Sequence, residues 1–433
     1  MPTLTIPLSR IEGHAQVRIH FHGGDVQAAH FQATELRGFE HFVQGAPAEQ
    51  MPVITPRICG VCSTAHHIAA VKALEAIFGV VPPPRAVQIR ELMMLGQLIQ
   101  NQATSLFMFT MPDLPGQEGL PSLFHLEGAD ADLAPKALQI RRAGTDLITT
   151  AGGQFIHPVR ATIGGVSSEI DPQAAERMVA QLRAALPVAL ELFERYWELF
   201  LGLKERIGTL GDDTPTYYLA AVSPGHAYYG ERIRVLAPSG AEEAAFDPCD
   251  HARFLTEQLT DTSYSSGTLF KGEVLRANSL ARLNMLPHLG TPLADQCMER
   301  FRREWGHPAH AILLFDLARG IELIYGLEEA IERLSAPPAP GDLRVSYTPR
   351  DGEGCGLVEA PRGPLIHHYA VEKGLIRSAR FVIPTQHNIL AIERALLVAA
   401  RRYISKQGIS AELERAVGRV VRAFDPCIAC ATH

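Results

Sequence analysis

Over the first 36 residues apolar and polar positions alternate, as in AQVRIHFHGGDVQAAHFQA, with Gly23-Gly24 between two runs. A period of two puts successive side chains on opposite faces, so this stretch predicts an antiparallel hairpin turned at the two glycines. The period then changes. STAHHIAAVKALEAIF (63–78), AVQIRELMMLGQLIQNQATSLFMF (86–109) and the stretch from about 130 to 152 carry apolar residues three and four apart, which predicts helices with one buried face. Asp171-Pro172 joins an N-cap to a proline in the first turn, and the helical pattern runs on to about Lys204, with a kink expected at Pro187. Another long pattern, from about Ala294 to Leu334, breaks near Gly306-His307-Pro308.

Between these helices, residues 208–290 mix short apolar runs with turn signals such as APSG and PHLG, and read as a strand-and-loop insertion. After the proline-rich SAPPAPGD, two strand-like runs, LIHHYAVEKG and LIRSARFVIP, precede a final predicted helix from about Asn388 to Tyr403. No internal repeat is visible. The expected fold is mainly α with small peripheral β-sheets, an α+β chain organised as one domain over 1–433. Its parts are a strand-rich start (1–56), a helical core (57–207), the mixed insertion (208–290) and a second helical part with the C-terminal motif (291–433).

Composition narrows the function. A chain of 433 residues, 46% apolar, can bury a sizeable core, and a net charge of −7 without a long basic run argues against nucleic acid as the main ligand. The start MPTLTIPLSRIEGH has neither a basic leader nor an apolar core, and no apolar run is long enough to cross a bilayer. A soluble, cytoplasmic chain is therefore expected. Seven cysteines is an odd number for a disulfide framework, and four of them form two Cys-x-x-Cys pairs, which favours metal or redox chemistry in a reducing compartment.

Those pairs are RICGVC, with Cys59 and Cys62 just before a helix, and DPCIACATH, with Cys427 and Cys430 at the very end of the chain. Thiolates are soft ligands, and four of them can hold zinc, an iron-sulfur cluster, or nickel with iron. Structural zinc is the plainest reading. Against it, the pairs lie more than 360 residues apart, whereas zinc ribbons close short loops in chains too small to fold unaided. Arg57, His66, Asp425 and His433 also bring charge and hydrogen-bonding groups to the cysteines, as a reactive site requires.

With SRIEGH (9–14), RGFE (37–40), RICGVCSTAH (57–66), APRGPLIHH (360–368), VIPTQHN (382–388) and DPCIACATH in this order, the chain resembles the large, catalytic subunit of nickel-iron hydrogenases over essentially its full length. The resemblance implies that Cys59, Cys62, Cys427 and Cys430 bind nickel, with Cys62 and Cys430 also binding an iron that carries carbon monoxide and two cyanides. It implies reversible splitting of H2 into protons and electrons, with Cys427 as first base and Glu12 as the relay that takes the proton onward. The competing reading of Glu12 is a carboxylate paired with Arg10 or His14. Arg362 matches a guanidinium held over the open side of the metals, with Asp113 and Asp425 orienting it, though Asp113 reads equally well as a turn residue. Pro384 and Thr385 match a segment that contacts a cyanide. His66 matches a histidine bonded to a bridging sulfur, and Glu40 with His433 match the protein ligands of magnesium or a similar hard ion, beside a backbone carbonyl near 381–383.

In this family a maturation protease cuts just after the final histidine, so a chain ending at His433 resembles the processed form. The histidine-rich helix typical of membrane-bound uptake enzymes is missing after QNQATSLFMF, which points to a soluble cytoplasmic branch. With no spare cysteine set for a relay cluster, an iron-sulfur small subunit is the implied partner, and further electron-transfer subunits are compatible. An H2-sensing subunit with low turnover would share the same motifs. A respiratory-complex relative would lack the cysteine pairs, and a scaffold stapled by zinc is the bland alternative. Cys249, Cys297 and Cys355 match no motif and read as isolated small buried residues; the methionine-rich helix reads as core packing.

Overall fold

The computed structural model describes residues 2–114, 122–126, 130–208, 210–222, 228–260, 262–406 and 408–433. The predicted hairpin is present. Strands Ala15–His22 and Asp25–Ala33 pair antiparallel across Gly23-Gly24, both at positive φ as a tight two-residue turn demands, and Thr3–Pro7 adds a third strand.

Long helices Ser63–Phe78, Pro84–Ala103, Leu133–Gly152, Pro172–Leu201 and Leu314–Ser335 form the centre of the large hydrophobic core. Pro84–Ala103 and Leu133–Gly152 pack backbone to backbone. A Cβ at Gly144 would stand 2.5 Å from Gln100 N, and one at Gly96 2.9 Å from Ile148 N, so both positions must lack a side chain. Asp171 caps its helix as expected, accepting a 2.8 Å bond from Ala174 N–H, and the helix runs unbroken through Pro187. The break at Gly306-His307-Pro308 separates Pro292–Trp305 from Leu314–Ser335.

The mixed stretch folds into a six-stranded sheet from Tyr217–Ala220 to Glu273–Arg276, antiparallel except where those two strands pair side by side in parallel, and it has its own small apolar cluster. Parts of that stretch (209, 223–227, 261) lie outside the described residues.

Two elements correct the sequence reading. The two strand-like runs, Gly363–Glu372 and Leu375–Val382, are joined by a third strand, Gly352–Ala360, which lies against helix Ser63–Phe78. From Gly354 onward this strand is buried throughout, so its sequence shows no alternation. Its glycines let the helix approach: a Cβ at Gly356 would meet Ala69 O at 2.0 Å. Nor is the helix ending at Tyr403 the last, because Leu413–Phe424 follows and leads directly into DPCIAC. Its apolar positions Leu413, Ala416, Val417, Val420, Val421 and Phe424 recur three and four apart, so this helix was legible and the sequence reading passed over it.

The three unassigned cysteines are a further correction. Cys249 and Cys355 form a disulfide with Cα atoms 5.5 Å apart, and Cys249 is exposed; Cys297 is half-buried. Isolated burial is the wrong description for this pair.

Candidate metal centre

The two cysteine pairs reach one point from opposite ends of the chain. Cys59 and Cys62 sit in the turn before helix Ser63–Phe78, while Cys427 and Cys430 follow helix Leu413–Phe424, with Cys430 in the short helix Ile428–Ala431. The sequence steers this last turn: Asp425 takes left-handed backbone angles (φ 49) that end the helix, and Phe424 O is held by Asn278 Nδ2 at 2.8 Å. All four thiols are buried. Their Sγ atoms stand 2.8 Å apart for Cys62 and Cys430, 3.0 Å for Cys427 and Cys430, 3.4 Å for Cys59 and Cys427, and 3.9 Å for Cys62 and Cys427.

Such crowding has an electrostatic consequence. Hydrogen bonds from Cys427, Cys430 and Cys62 hold the Cys59 thiol well below its ordinary 9.0, and burial pushes the thiols of Cys62, Cys427 and Cys430 above theirs. One thiolate is tolerated and the others are suppressed, because several anions cannot share a dry space without a cation. A soft cation bound among the sulfurs would supply that compensation.

Glu12 lies beside this cluster. Its Oε2 accepts from Cys427 Sγ at 3.1 Å and from Ala429 N–H at 3.0 Å, and its backbone carbonyl accepts from Ile428 N–H at 3.2 Å. Neither alternative partner engages it: Arg10 binds Asp113, and His14 binds Glu35. Burial, followed by the charge of Cys59, raises the Glu12 carboxyl above its ordinary 4.5.

Arg362 crosses the cluster's other side. Its Nε donates to Asp425 O at 2.5 Å and its Nη2 to Asp425 Oδ1 at 3.2 Å, while Asn101 Nδ2 holds the second carboxylate oxygen at 3.0 Å. The remaining nitrogen, Nη1, is buried and without a hydrogen-bond partner among the described residues. Arg362, Pro384, Thr385, Cys62, Cys427 and Cys430 line one small cavity. Thr385 Oγ1 accepts from Cys427 N–H at 3.0 Å, which leaves its hydroxyl proton to donate elsewhere. A buried N–H and an O–H lining a cavity with three of the sulfurs could both donate to a small acceptor group held there.

His66 Nε2 stands 3.4 Å from Cys430 Sγ, and its Nδ1 is 2.9 Å from His367 Nε2, which in turn reaches Tyr369 Oη through Nδ1 at 2.5 Å. Burial lowers His66 to about 4, so the ring is neutral near pH 7. Glu40 Oε1 lies 3.3 Å from His433 Nε2 and accepts from Phe381 N–H at 2.8 Å, while His433 Nδ1 is 2.9 Å from Cys430 O. His433, the Phe381 N–H and Arg380 outweigh the effect of burial and keep the Glu40 carboxyl below its ordinary value, a charged oxygen ligand suited to a hard ion.

Two expected roles change. Asp113 does not touch Arg362: it pairs with Arg10 at 2.5 Å and with Arg422 at 2.6 and 2.9 Å, while Arg422 Nη1 also donates to Ser9 O at 3.0 Å. It thereby ties the SRIEGH segment to the helix that delivers Cys427. Arg57 is exposed and turns to the Val53 carbonyl, away from the sulfurs. Missed in turn were Asn101, which orients Asp425, and His367 and Tyr369 behind His66; the doubled histidine at 367–368 was the only visible signal.

The chain is similar to known proteins over most of its length. A family model described as nickel-dependent hydrogenase matches residues 37–112 and 224–433, and one described as HoxL-like matches residues 3–36. The chain is 34% identical to a subunit of the vhu F420-non-reducing hydrogenase of Methanococcus voltae, over 92% of this chain and 98% of that one. It is 31% identical to the beta subunit of the NAD-reducing hydrogenase HoxS of Cupriavidus necator, over 99% of this chain and 93% of the relative. A crystal structure of an NAD+-reducing [NiFe]-hydrogenase in the H2-reduced state superposes with a TM-score of 0.94 at 31% identity, covering all of both chains.

Fold and relatives together define an oxidoreductase, here with a buried cluster of four cysteines. The chain belongs to the nickel-dependent hydrogenase family, as a large subunit of the nickel-iron type.

Proposed function

We propose that this chain carries a nickel-iron centre on Cys59, Cys62, Cys427 and Cys430 and catalyses the reversible heterolysis of H2. The observation that carries the proposal is the convergence of four buried sulfurs with a proton-accepting carboxylate, Glu12, 3.1 Å from Cys427 Sγ. All four cysteines would hold nickel, with Cys62 and Cys430 also holding an iron bearing one carbon monoxide and two cyanides. When bound, this group takes up the electron pair of H2 and passes it on one electron at a time.

The chain's own groups handle the proton and the geometry. Cys427 Sγ receives the proton, and Glu12 Oε2 takes it along the hydrogen bond they share. Cys427 is 1% exposed whereas Glu12 is partly exposed, so the carboxyl joins a buried sulfur to the surface of the chain. Its raised pKa suits exchange with a thiol better than an ordinary carboxylate would. Arg362, clamped by Asp425, would offer its Nη1 to the diatomic ligands of the iron, and the Thr385 hydroxyl would donate to a cyanide near Pro384. His66, neutral and backed by His367, donates to Cys430 Sγ and lowers the basicity of that sulfur, leaving Cys427 as the better base. Glu40 and His433 would share a magnesium ion that fixes the end of the chain.

Electrons leave through an iron-sulfur small subunit. The exposed apolar side chains Leu36, Phe42, Val53, Ile156 and Val159 support such a partner: they flank the loop before Cys59, where Arg37 donates to Ile58 O at 2.8 Å and His157 Nδ1 sits 3.2 Å from Pro56 O. The relatives include an NAD-reducing and an F420-non-reducing enzyme, so the acceptor is chosen by partner subunits and not by this site.

The test is an infrared spectrum of the purified chain, in the window where metal-bound carbon monoxide and cyanide absorb and protein does not. One carbonyl band with two cyanide bands is expected. A blank spectrum with zinc in elemental analysis would refute the proposal.

A further inference from the structure

A second cluster of potential ligands lies outside the centre described above. Cys355, on strand Gly352–Ala360, faces His368 across the hairpin as its direct register partner. From the neighbouring turn, Cys249 and His251 come in two residues apart. The two sulfurs and a ring nitrogen of His368 lie within 4.8 Å of one another, and His251 Nε2 stands 3.4 Å from His368 Nδ1.

That nitrogen separation is a long hydrogen-bond distance, with His251 just outside the group of three, and it is also a spacing that a shared ion would allow. Two imidazole nitrogens bound to one tetrahedral zinc-class ion at about 2.0–2.1 Å are about 3.3–3.4 Å apart. The other nitrogen of His368 is already fixed, with Nε2 2.7 Å from Glu353 Oε1. A carboxylate on the far nitrogen sets the tautomer that frees Nδ1 to bind a metal, the usual support of a metal-binding histidine. Glu353 is two residues before Cys355 on the same strand, hence on the same face. All of these groups line or adjoin a cavity of about 650 Å³, and Cys249 is exposed, so both an ion and a reductant can reach them.

We propose that Cys249, His251, Cys355 and His368 form a redox-gated Cys2His2 site for a divalent transition ion of the zinc class. In the oxidised chain the sulfurs are joined to each other and cannot act as thiolates. A dithiol opens the bond: it transfers two electrons and two protons, leaves as its own cyclic disulfide, and frees two thiols. The sulfurs then separate to the roughly 3.8 Å that two thiolates about 2.3 Å from a tetrahedral ion require. Binding the dication releases both thiol protons to solvent, and the two histidines bind as neutral rings. Two thiolates cancel the charge of the ion.

The test uses the full chain as purified, reduced anaerobically with a dithiol, desalted and titrated with Co2+. Wild type is expected to bind one more Co2+ per chain than Cys249→Ser, with sulfur-to-cobalt charge-transfer and tetrahedral d–d bands that Zn2+ abolishes. His368→Gln is expected to lose the same equivalent. Glu353→Gln, which alters a positioning residue, should weaken binding by about 10–100-fold while the tetrahedral bands persist. Without dithiol, no such bands should form. The proposal is overturned if thiol titration shows two newly freed thiols yet wild type and Cys249→Ser bind equal cobalt, or if binding is the same with and without the dithiol. The readout is independent of hydrogenase activity, so a failure here and a failure of the nickel-iron reading are distinguishable.

Discussion

Replacing Glu12 by glutamine tests the proton route with little change of shape. The amide oxygen can still accept from Ala429 N–H, now at 3.0 Å, and from Cys427 Sγ, now at 3.1 Å, so the cysteines keep their places. What disappears is a group that can gain and lose a proton. A positioned acid-base group contributes about 10²–10⁴ in rate, or about 3–5 kcal/mol of barrier. Glu12→Gln is therefore expected to lower H2 oxidation with an artificial dye acceptor, and H2/D2 exchange with it, by that factor, while the infrared bands stay in place. Glu12→Asp separates distance from chemistry. It keeps the acid but withdraws it by one methylene, about 1.5 Å, which breaks the contact with Cys427, so it too should be slow. If Glu12→Gln exchanges H2 and D2 at the wild-type rate with unchanged infrared bands, the relay assignment is wrong.

Three further outcomes follow from other parts of the structure. Cys427→Ser puts a hard, un-ionised hydroxyl where a soft thiolate is needed, and should abolish dye reduction and lower nickel content; full activity would contradict the ligand assignment. Gly356→Ala places a Cβ 2.0 Å from Ala69 O and 2.5 Å from Ala73 N, both backbone atoms, so strand and helix Ser63–Phe78 must separate. A loss of about 1–3 kcal/mol or more is expected in thermal unfolding, and an unchanged Tm would refute the close-contact argument. His67, which contacts Pro52 O at 2.8 Å, is lowered by burial from its ordinary 6.5 to about 4. Between those values the unfolded chain binds a proton that the folded chain refuses, so stability falls as pH drops from 6.5 toward 4. His67→Gln should lose less Tm between about pH 7 and pH 5 than wild type, and parallel curves would dismiss the linkage.

The parts of this molecule legible in its sequence are those whose cause is local. A hairpin needs two alternating runs and two adjacent residues that accept positive φ, and residues 15–33 contain both. The sulfur cluster was legible for a similar reason, since each pair of cysteines is set by a four-residue motif, although the motif alone leaves open which metal it suits. Strand Gly352–Ala360 was hidden because its cause is tertiary: buried against a helix, it has no polar face to alternate and uses glycine to admit the helix backbone. Asp113 shows the same limit within the site. The resemblance implied that it orients Arg362 and the sequence alone read equally as a turn; its ion pairs are instead with Arg10 and Arg422, 103 and 309 residues away. Those pairings give Asp113 a more useful place than the expected one. By joining the segment that carries Glu12 to helix Leu413–Phe424, which leads into Cys427, it helps set the distance between proton acceptor and sulfur on which the proposed chemistry depends.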